Sequence, residues 1–163
     1  MSTVFLLLGS NLGNREKNLS DAIKMLELSV GNLITSSAVY ETKPWGKSDQ
    51  PDYLNQAIKI ETILAPMPLL LMLKGFENKL GRTEIKKWEP REIDIDILFY
   101  DDFILNTENL IIPHQHLCER RFTLIPMSEI APKFVHPVLK KSIFKLLEEC
   151  KDSLSVSIYA LCL

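Results

Sequence analysis

Asp94 and Asp96 stand two residues apart in the run IDIDILFY, 93–100. In an extended strand such positions share one face, about 7 Å apart. Ile93, Ile95, Ile97 and Phe99 then take the opposite, core-facing side. Two carboxylates on so apolar a strand repel each other unless water or a cation lies between them. Hard oxygen ligands of this kind suit Mg²⁺, which typically takes one or two carboxylates plus substrate phosphates. A solvent-facing strand with its acids turned outward explains the same spacing, and spacing alone does not choose between the two readings.

The neighbourhood favours phosphate. From Lys74 to Arg91 there are six basic residues (74, 79, 82, 86, 87 and 91) against three acidic ones (77, 84 and 89), with Trp88 among them. Arginine forks match phosphate oxygens, and an indole covers a flat ring. Cations beside a paired-aspartate strand make a site for metal-bound polyphosphate. A solvated charged loop is the plain alternative.

Two further clusters carry chemistry-bearing types. Tyr53 and Asn55 share one strand face just after a Pro/Gly loop, and IPHQHLCERRF (112–122) brings His114, Arg120 and Phe122 together. His114-x-His116 is a chelating pair without a third ligand at a recognisable spacing, which speaks against zinc. His136 has no obvious partner in sequence. The loop GSNLGN follows a strand and precedes a helix but lacks the Gly-Lys-Ser/Thr end of a P-loop. No G-x-G-x-x-G and no G-x-S-x-G elbow is present.

The elements that must position these residues read as β-α-β-β-α-β. Residues 3–9 are a buried strand. A helix follows Asn14, with Leu19, Ala22, Ile23, Leu26 and Val30 at helical spacing and Gly31-Asn32 as its stop. Residues 33–42 carry the β-branched and aromatic bias of a strand, 43–52 are a Pro/Gly loop, and about 53–62 are a second strand. Pro66 and Pro68 open a helix whose stripe is Leu69, Met72, Leu73, Phe76 and Leu80, closed by Gly81. Residues 82–92 form a long charged loop before the aspartate strand. The expected fold is therefore α+β, a ferredoxin-like βαββαβ sandwich with two helices on one face of a four-stranded antiparallel sheet. A hairpin (about 98–111) and helices (about 116–130 and 139–150) follow. The apolar tail after about Asp152 is a last strand or a contact surface.

Composition sets the outer bounds. The 163 residues suit one domain, 1–163, and 46% hydrophobic with 25% charged residues is ordinary for a globular chain. Nineteen basic against 21 acidic residues give a net charge of −2, unlike a protein that binds long nucleic acid non-specifically. Cys118, Cys150 and Cys162 are scattered, with no C-x-x-C pair, and read as reduced thiols. The apolar run Val4–Leu8 is too short for a signal h-region or a membrane span. A cytoplasmic protein with no nucleic-acid or membrane partner is expected.

LGSNLGNR (8–15), YETKPWG (40–46), QPDYLN (50–55), LGR (80–82), WEPREIDIDIL (88–98), IPH (112–114), RRFTLIP (120–126) and EIAP (129–132) occur in order along the chain. Over about residues 4–137 this pattern resembles the 6-hydroxymethyl-7,8-dihydropterin pyrophosphokinases. The resemblance implies a ferredoxin-like enzyme of folate biosynthesis that moves pyrophosphate from ATP to a pterin hydroxymethyl group and releases AMP. It implies that Asp94 and Asp96 hold two Mg²⁺ ions and that Arg82 and Arg91 neutralise phosphate charge. Trp88 would belong to a loop closing over the site. Lys74, Glu77, His114 and Arg120 match positions around ATP, with Ile97 near the adenine. The pterin would lie between Tyr53 and Phe122, its edge read by Thr42, Asn55 and backbone around Pro44 and Trp45. The acceptor hydroxyl would attack the β-phosphorus in line, with no dedicated general base in view, and other folate enzymes are candidate neighbours.

Departures from the family pattern are also visible. Lys74 stands where glutamine is frequent, Glu89 where a glycine commonly precedes Pro-Arg, and Glu84 where a basic residue is frequent. Trp45 and Arg121 replace smaller side chains. Slower loop closure or weaker ATP binding than in a typical member is the expected consequence, not loss of activity. The sequence offers three rivals, the first opposed by the acidic balance and the absent RNP1 aromatics and the second by retention of both aspartates and both arginines. The rivals are an RNA-binding ferredoxin-like module, a non-catalytic relative, and another metal-dependent phosphotransferase that would release ADP or phosphate.

Overall fold

A computed structural model describes residues 1–46, 49–81 and 89–159. The expected order holds: β1 (Ser2–Ser10), α1 (Arg15–Ser29), β2 (Gly31–Ser36), β3 (Tyr40–Thr42), β4 (Tyr53–Thr62), α2 (Pro66–Lys79) and β5 (Asp94–Tyr100). Then come β6 (Leu105–Asn106), β7 (Ile111–Ile112), a 3-10 turn (Leu117–Glu119), α3 (Arg121–Ile130), α4 (Ile143–Glu149) and β8 (Val156–Ile158). The main sheet is antiparallel but has six strands where four were expected, because the second expected strand divides in two and the tail adds another; the order is β5-β1-β4-β3-β8, with β2 also on β4.

Each face of the sheet carries its own core. Leu6, Leu8, Leu54, Ile58 and Ile60 meet Leu19, Ala22 and Leu26 of α1 and Leu69, Leu73 and Phe76 of α2. Phe5, Leu7 and Ala57 on the reverse face meet Leu124 and Met127 of α3 and Ile143 and Leu146 of α4. Apolar side chains on both faces explain why β1 reads as a continuous hydrophobic run instead of an alternation.

The structure departs from the sequence expectation at five further places. The strand expected over 33–42 is two, because Ser37 crimps it: its Oγ accepts from Ala57 N at 3.0 Å and its carbonyl accepts from Gln56 Nε2 at 2.9 Å. These cross-strand bonds take the place of the regular ladder at that point. Phe99 does not share a face with Ile95 and Ile97. Phe5 pairs with Phe99 and Leu6 with Ile97, so Leu98 is a bulge that switches Phe99 to the α3/α4 side. The hairpin spans 105–112, since 98–100 belong to β5. The helix expected over 116–130 is interrupted at Arg120, which is extended (φ −118°, ψ 105°), and the one expected over 139–150 starts only after Ser142, whose side chain caps it. The apolar tail forms β8, paired with β3 through Thr42↔Val156 and Tyr40↔Ile158. Gly31 opens β2 directly after α1. Its lack of a Cβ is required there, because one would meet Glu61 O at 1.9 Å.

Candidate active site

The α3/α4 face of the sheet is not covered to its end. Along the open end run two cross-strand rows, Asn55–Gly9–Asp94 and Ala57–Leu7–Asp96. A Cβ on Gly9 would stand 3.0 Å from Asn55 Oδ1 and 3.7 Å from the Tyr53 ring. Glycine there keeps the floor of the cleft low. Over this floor lies a cleft of about 470 Å³.

Fourteen of the residues singled out in sequence line that cleft: Thr42, Pro44, Trp45, Tyr53, Asn55, Lys74, Glu77, Arg91, Asp94, Asp96, Ile97, His114, Arg120 and Phe122. Arg82 and Trp88 lie outside the described residues. The structure thus gathers side chains from β3, β4, α2, β5 and the segment before α3. Arg121, by contrast, is exposed, and its backbone N–H donates to Asp152 at the start of α3.

At one end Thr42 and Asn55 are both buried, and Asn55 Nδ2 donates to Thr42 Oγ1 at 2.7 Å. The β3–β4 register, Tyr40↔Asn55 and Thr42↔Tyr53, brings the two together. Tyr53 and Phe122 are half-buried on the lining of the same cleft. An aromatic surface beside a fixed amide–hydroxyl pair is the type of site a flat heterocycle needs.

At the other end stand the acids. Arg91 Nη1 bridges to Asp94 Oδ2 at 3.0 Å. Burial works against the charge on Arg91, but Asp94, Tyr53 and Asp96 together raise its pKa. Asp96 is pushed up to about 7, first by burial and then by the Asp94 charge beside it, with Arg120 and Arg91 pulling the other way. This carboxylate lacks sufficient positive charge among the described residues, and the donor set of two oxygens on one face fits a hard divalent cation. No group of three or more His, Cys, Asp or Glu that could hold a metal occurs among the described residues. Further oxygens would have to come from substrate or water.

His114 Nε2 lies 3.9 Å from Asp96 Oδ2, while its Nδ1 accepts from His116 N at 3.3 Å. That bond places the proton on Nε2, facing the acid. Burial, then Arg120 and His116, hold the His114 pKa down at about 4, so the ring is neutral at pH 7. Glu77 sits on α2 with its Oε1 accepting from Ile95 N at 2.8 Å. It therefore covers an N–H on the outer side of edge strand β5, a structural duty the sequence did not signal.

Asn11 is the residue sequence reasoning passed over. It is buried, its Oδ1 accepts from Arg91 N at 2.9 Å, and its own N–H donates to Arg91 O at 3.1 Å. Its Nδ2 reaches Gln50 Oε1 and Pro51 O at 3.2 and 3.1 Å. One amide thus clips the Arg91 backbone to the loop that leads into Tyr53. The motif GSNLGN was the available signal, but an uncharged amide in a loop announces no partner.

Paired acids, two half-buried guanidinium groups and aromatic side chains beside a fixed amide define the class: an α+β fold of ferredoxin-like build with a cleft whose chemistry suits phosphate and a flat ring. A family model described as 7,8-dihydro-6-hydroxymethylpterin-pyrophosphokinase (HPPK) matches residues 5–132. The 2-amino-4-hydroxy-6-hydroxymethyldihydropteridine pyrophosphokinase of Aquifex aeolicus is 45% identical over 86% of this chain and 88% of its own length. That of Haemophilus influenzae is 43% identical over 84% and 86%. The folic acid synthesis protein fol1 of Pneumocystis carinii is 42% identical, but the match covers only 20% of it. A solved Plasmodium falciparum HPPK-DHPS shares the fold, with TM-score 0.78 and 18% identity over 91% of this chain and 44% of that one. The chain belongs to the HPPK family of pyrophosphokinases.

Proposed function

We propose that this cleft binds ATP and 6-hydroxymethyl-7,8-dihydropterin side by side and transfers pyrophosphate between them, giving AMP and the pterin diphosphate. Pyrophosphoryl transfer with ATP as co-substrate is the activity of the family. What supports the residue assignments is the juxtaposition of the Thr42–Asn55 pair with Asp94, Asp96 and Arg91 across Gly9. Pterin and triphosphate are thereby given adjacent places.

In this reading Asp94 and Asp96 hold Mg²⁺, two ions in all. Bound there, the metal would neutralise phosphate charge and polarise the oxygens of the attacking and departing groups. Thr42, Asn55 and backbone near Pro44 and Trp45 read the polar edge of the pterin, and Tyr53 with Phe122 take its faces. Arg91 and Arg120, with Arg82, stabilise charge on the transferred phosphoryl oxygens. His114, neutral and with its Nε2–H turned to Asp96, orients that carboxylate. Lys74, Ile97 and Glu77 line the nucleotide side, and Trp88 belongs to the covering loop. The chemistry is alignment and charge neutralisation, with no side chain needed as a strong base.

No helix among the described residues is long and apolar enough to cross a membrane. Free Cys118 and Cys150 accord with a reducing, cytoplasmic setting. We take the protein as a monomer that passes its product to other folate enzymes, without nucleic-acid or membrane partners. The metal assignment is tested by calorimetric titration of Mn²⁺ into the protein saturated with α,β-methylene ATP. Two ions should bind the parent and at most one the Asp94→Asn variant; unchanged stoichiometry and affinity in that variant would remove the aspartates from the metal site.

A further inference from the structure

Arg120 is held in an uncommon way. Its guanidinium carbon stands 4.8 Å from the Trp45 ring centroid and 5.7 Å from that of Phe122. Its Nε is buried without a hydrogen-bond partner, and no carboxylate among the described residues forms an ion pair with it. Burial lowers its pKa, with Asp96 and Asp94 acting the other way from a distance. The two aromatic residues come from separate places. Trp45 lies in the loop after β3, three residues from Thr42, whereas Phe122 is in the first turn of α3.

A cation can be fixed inside a protein by a carboxylate or by an aromatic face. A carboxylate would occupy the in-plane N–H donors of the guanidinium and cancel its charge. An aromatic face attracts the cation from above and leaves the planar fork of donors open for bidentate contact with phosphate. With two aromatic rings against the guanidinium and no carboxylate in ion-pair contact among the described residues, the aromatic faces are what hold it.

We propose that the Trp45 indole is a positioning residue for Arg120, holding the guanidinium by its face so that its N–H edge stays open toward nucleotide phosphate. This rests on the phosphate reading of the cleft given above. It assigns to the Trp45 side chain a role on the nucleotide side, separate from the pterin contact proposed for the backbone of the same loop. Trp45 also lies 6.1 Å from the His116 ring, so the indole is set against the 114–120 segment at more than one point.

The test is a double-mutant cycle read as binding of α,β-methylene ATP with Mg²⁺, alongside steady-state kinetics. Trp45→Leu should weaken nucleotide binding on the order of tenfold, the scale of a desolvated cation–π contact. Trp45→Phe, which keeps an aromatic face, should recover most of that loss. In an Arg120→Met background Trp45→Leu should change nucleotide affinity less than twofold. Equal losses in both backgrounds, or no difference between the Leu and Phe variants, would overturn the proposal. So would a loss confined to the KM of the pterin. Should Trp45→Leu fail to fold, Trp45 fluorescence in a Trp88→Phe background decides the matter. Nucleotide analogue should shift it, and an unchanged signal would overturn the coupling. Failure of the parent to bind nucleotide at all would instead sink the reading on which the proposal rests.

Discussion

Replacing Asp96 by asparagine should stabilise the substrate-free protein while abolishing turnover. In the fold the Asp96 carboxyl is raised to about 7, by burial first and by the Asp94 charge second. The usual value is 3.8. A raised folded-state pKa favours the fold only while the group is protonated. Ionisation therefore removes stability progressively from about pH 4 to about pH 7, and the loss is complete above that. About three units at 1.36 kcal/mol each would amount to about 4 kcal/mol. The side chain is 31% exposed, so solvent screening reduces this to roughly 2 kcal/mol. Asparagine has nearly the same shape and no charge. Denaturant unfolding of parent and variant in metal-free buffer at pH 4.5, 6 and 8 is the assay. The Asp96→Asn gain should be about 0.5 kcal/mol at pH 4.5 and reach about 2 kcal/mol at pH 8. With Mg²⁺ and α,β-methylene ATP present, the order should reverse, because only the parent completes the metal site. A variant that is no more stable than the parent at pH 8, or a gain that does not change with pH, would refute the reasoning.

Other consequences can be checked in parallel. The His114 ring should titrate near 4 by NMR, since burial, Arg120 and His116 all disfavour its charge. Its contribution to stability is full above the usual 6.5 and is lost as pH falls toward 4, so a ring titrating at 6.5 would contradict the packing. Glu77→Leu should destabilise by about 1–3 kcal/mol because Ile95 N–H is left buried and unpaired, whereas Glu77→Gln retains an acceptor and should cost less in the same unfolding assay. Thr42→Val removes the acceptor of Asn55 Nδ2 and should raise the pterin KM about tenfold with little change in the KM for ATP. Glu89→Gly removes an exposed negative charge whose carbonyl accepts from Arg91 Nε, and it should lower the KM for ATP a few-fold; an unchanged KM and kcat would show that the departure is silent.

The elements whose periodicity has one cause were legible in sequence. α2 could be read from Leu69, Leu73 and Phe76 because one face alone is buried, and β5 from the alternation of Asp94 and Asp96 with isoleucines. Reading failed where a long-range contact overrides a local pattern. Ser37 looks like any strand residue until Ala57 and Gln56 bond to it. Leu98 has no feature that marks a bulge, so the face of Phe99 could not be known. A last strand was one of two readings of the apolar tail, and what decides for β8 is the edge that β3 leaves to pair with, which the tail itself does not show. In the site, charged and aromatic residues were found because phosphates and flat rings demand those types. Asn11 was missed because its contribution is to tie backbone to backbone. The stacking of Arg120 on Trp45 was invisible because the two are brought together only by the fold.

The most direct test is phosphorus NMR of a reaction containing the protein, ATP, Mg²⁺ and 6-hydroxymethyl-7,8-dihydropterin. Equal amounts of AMP and pterin diphosphate should appear, only when Mg²⁺ is present and not with Asp96→Asn. ADP as the nucleotide product, or AMP formation that survives loss of Asp96, would contradict the account.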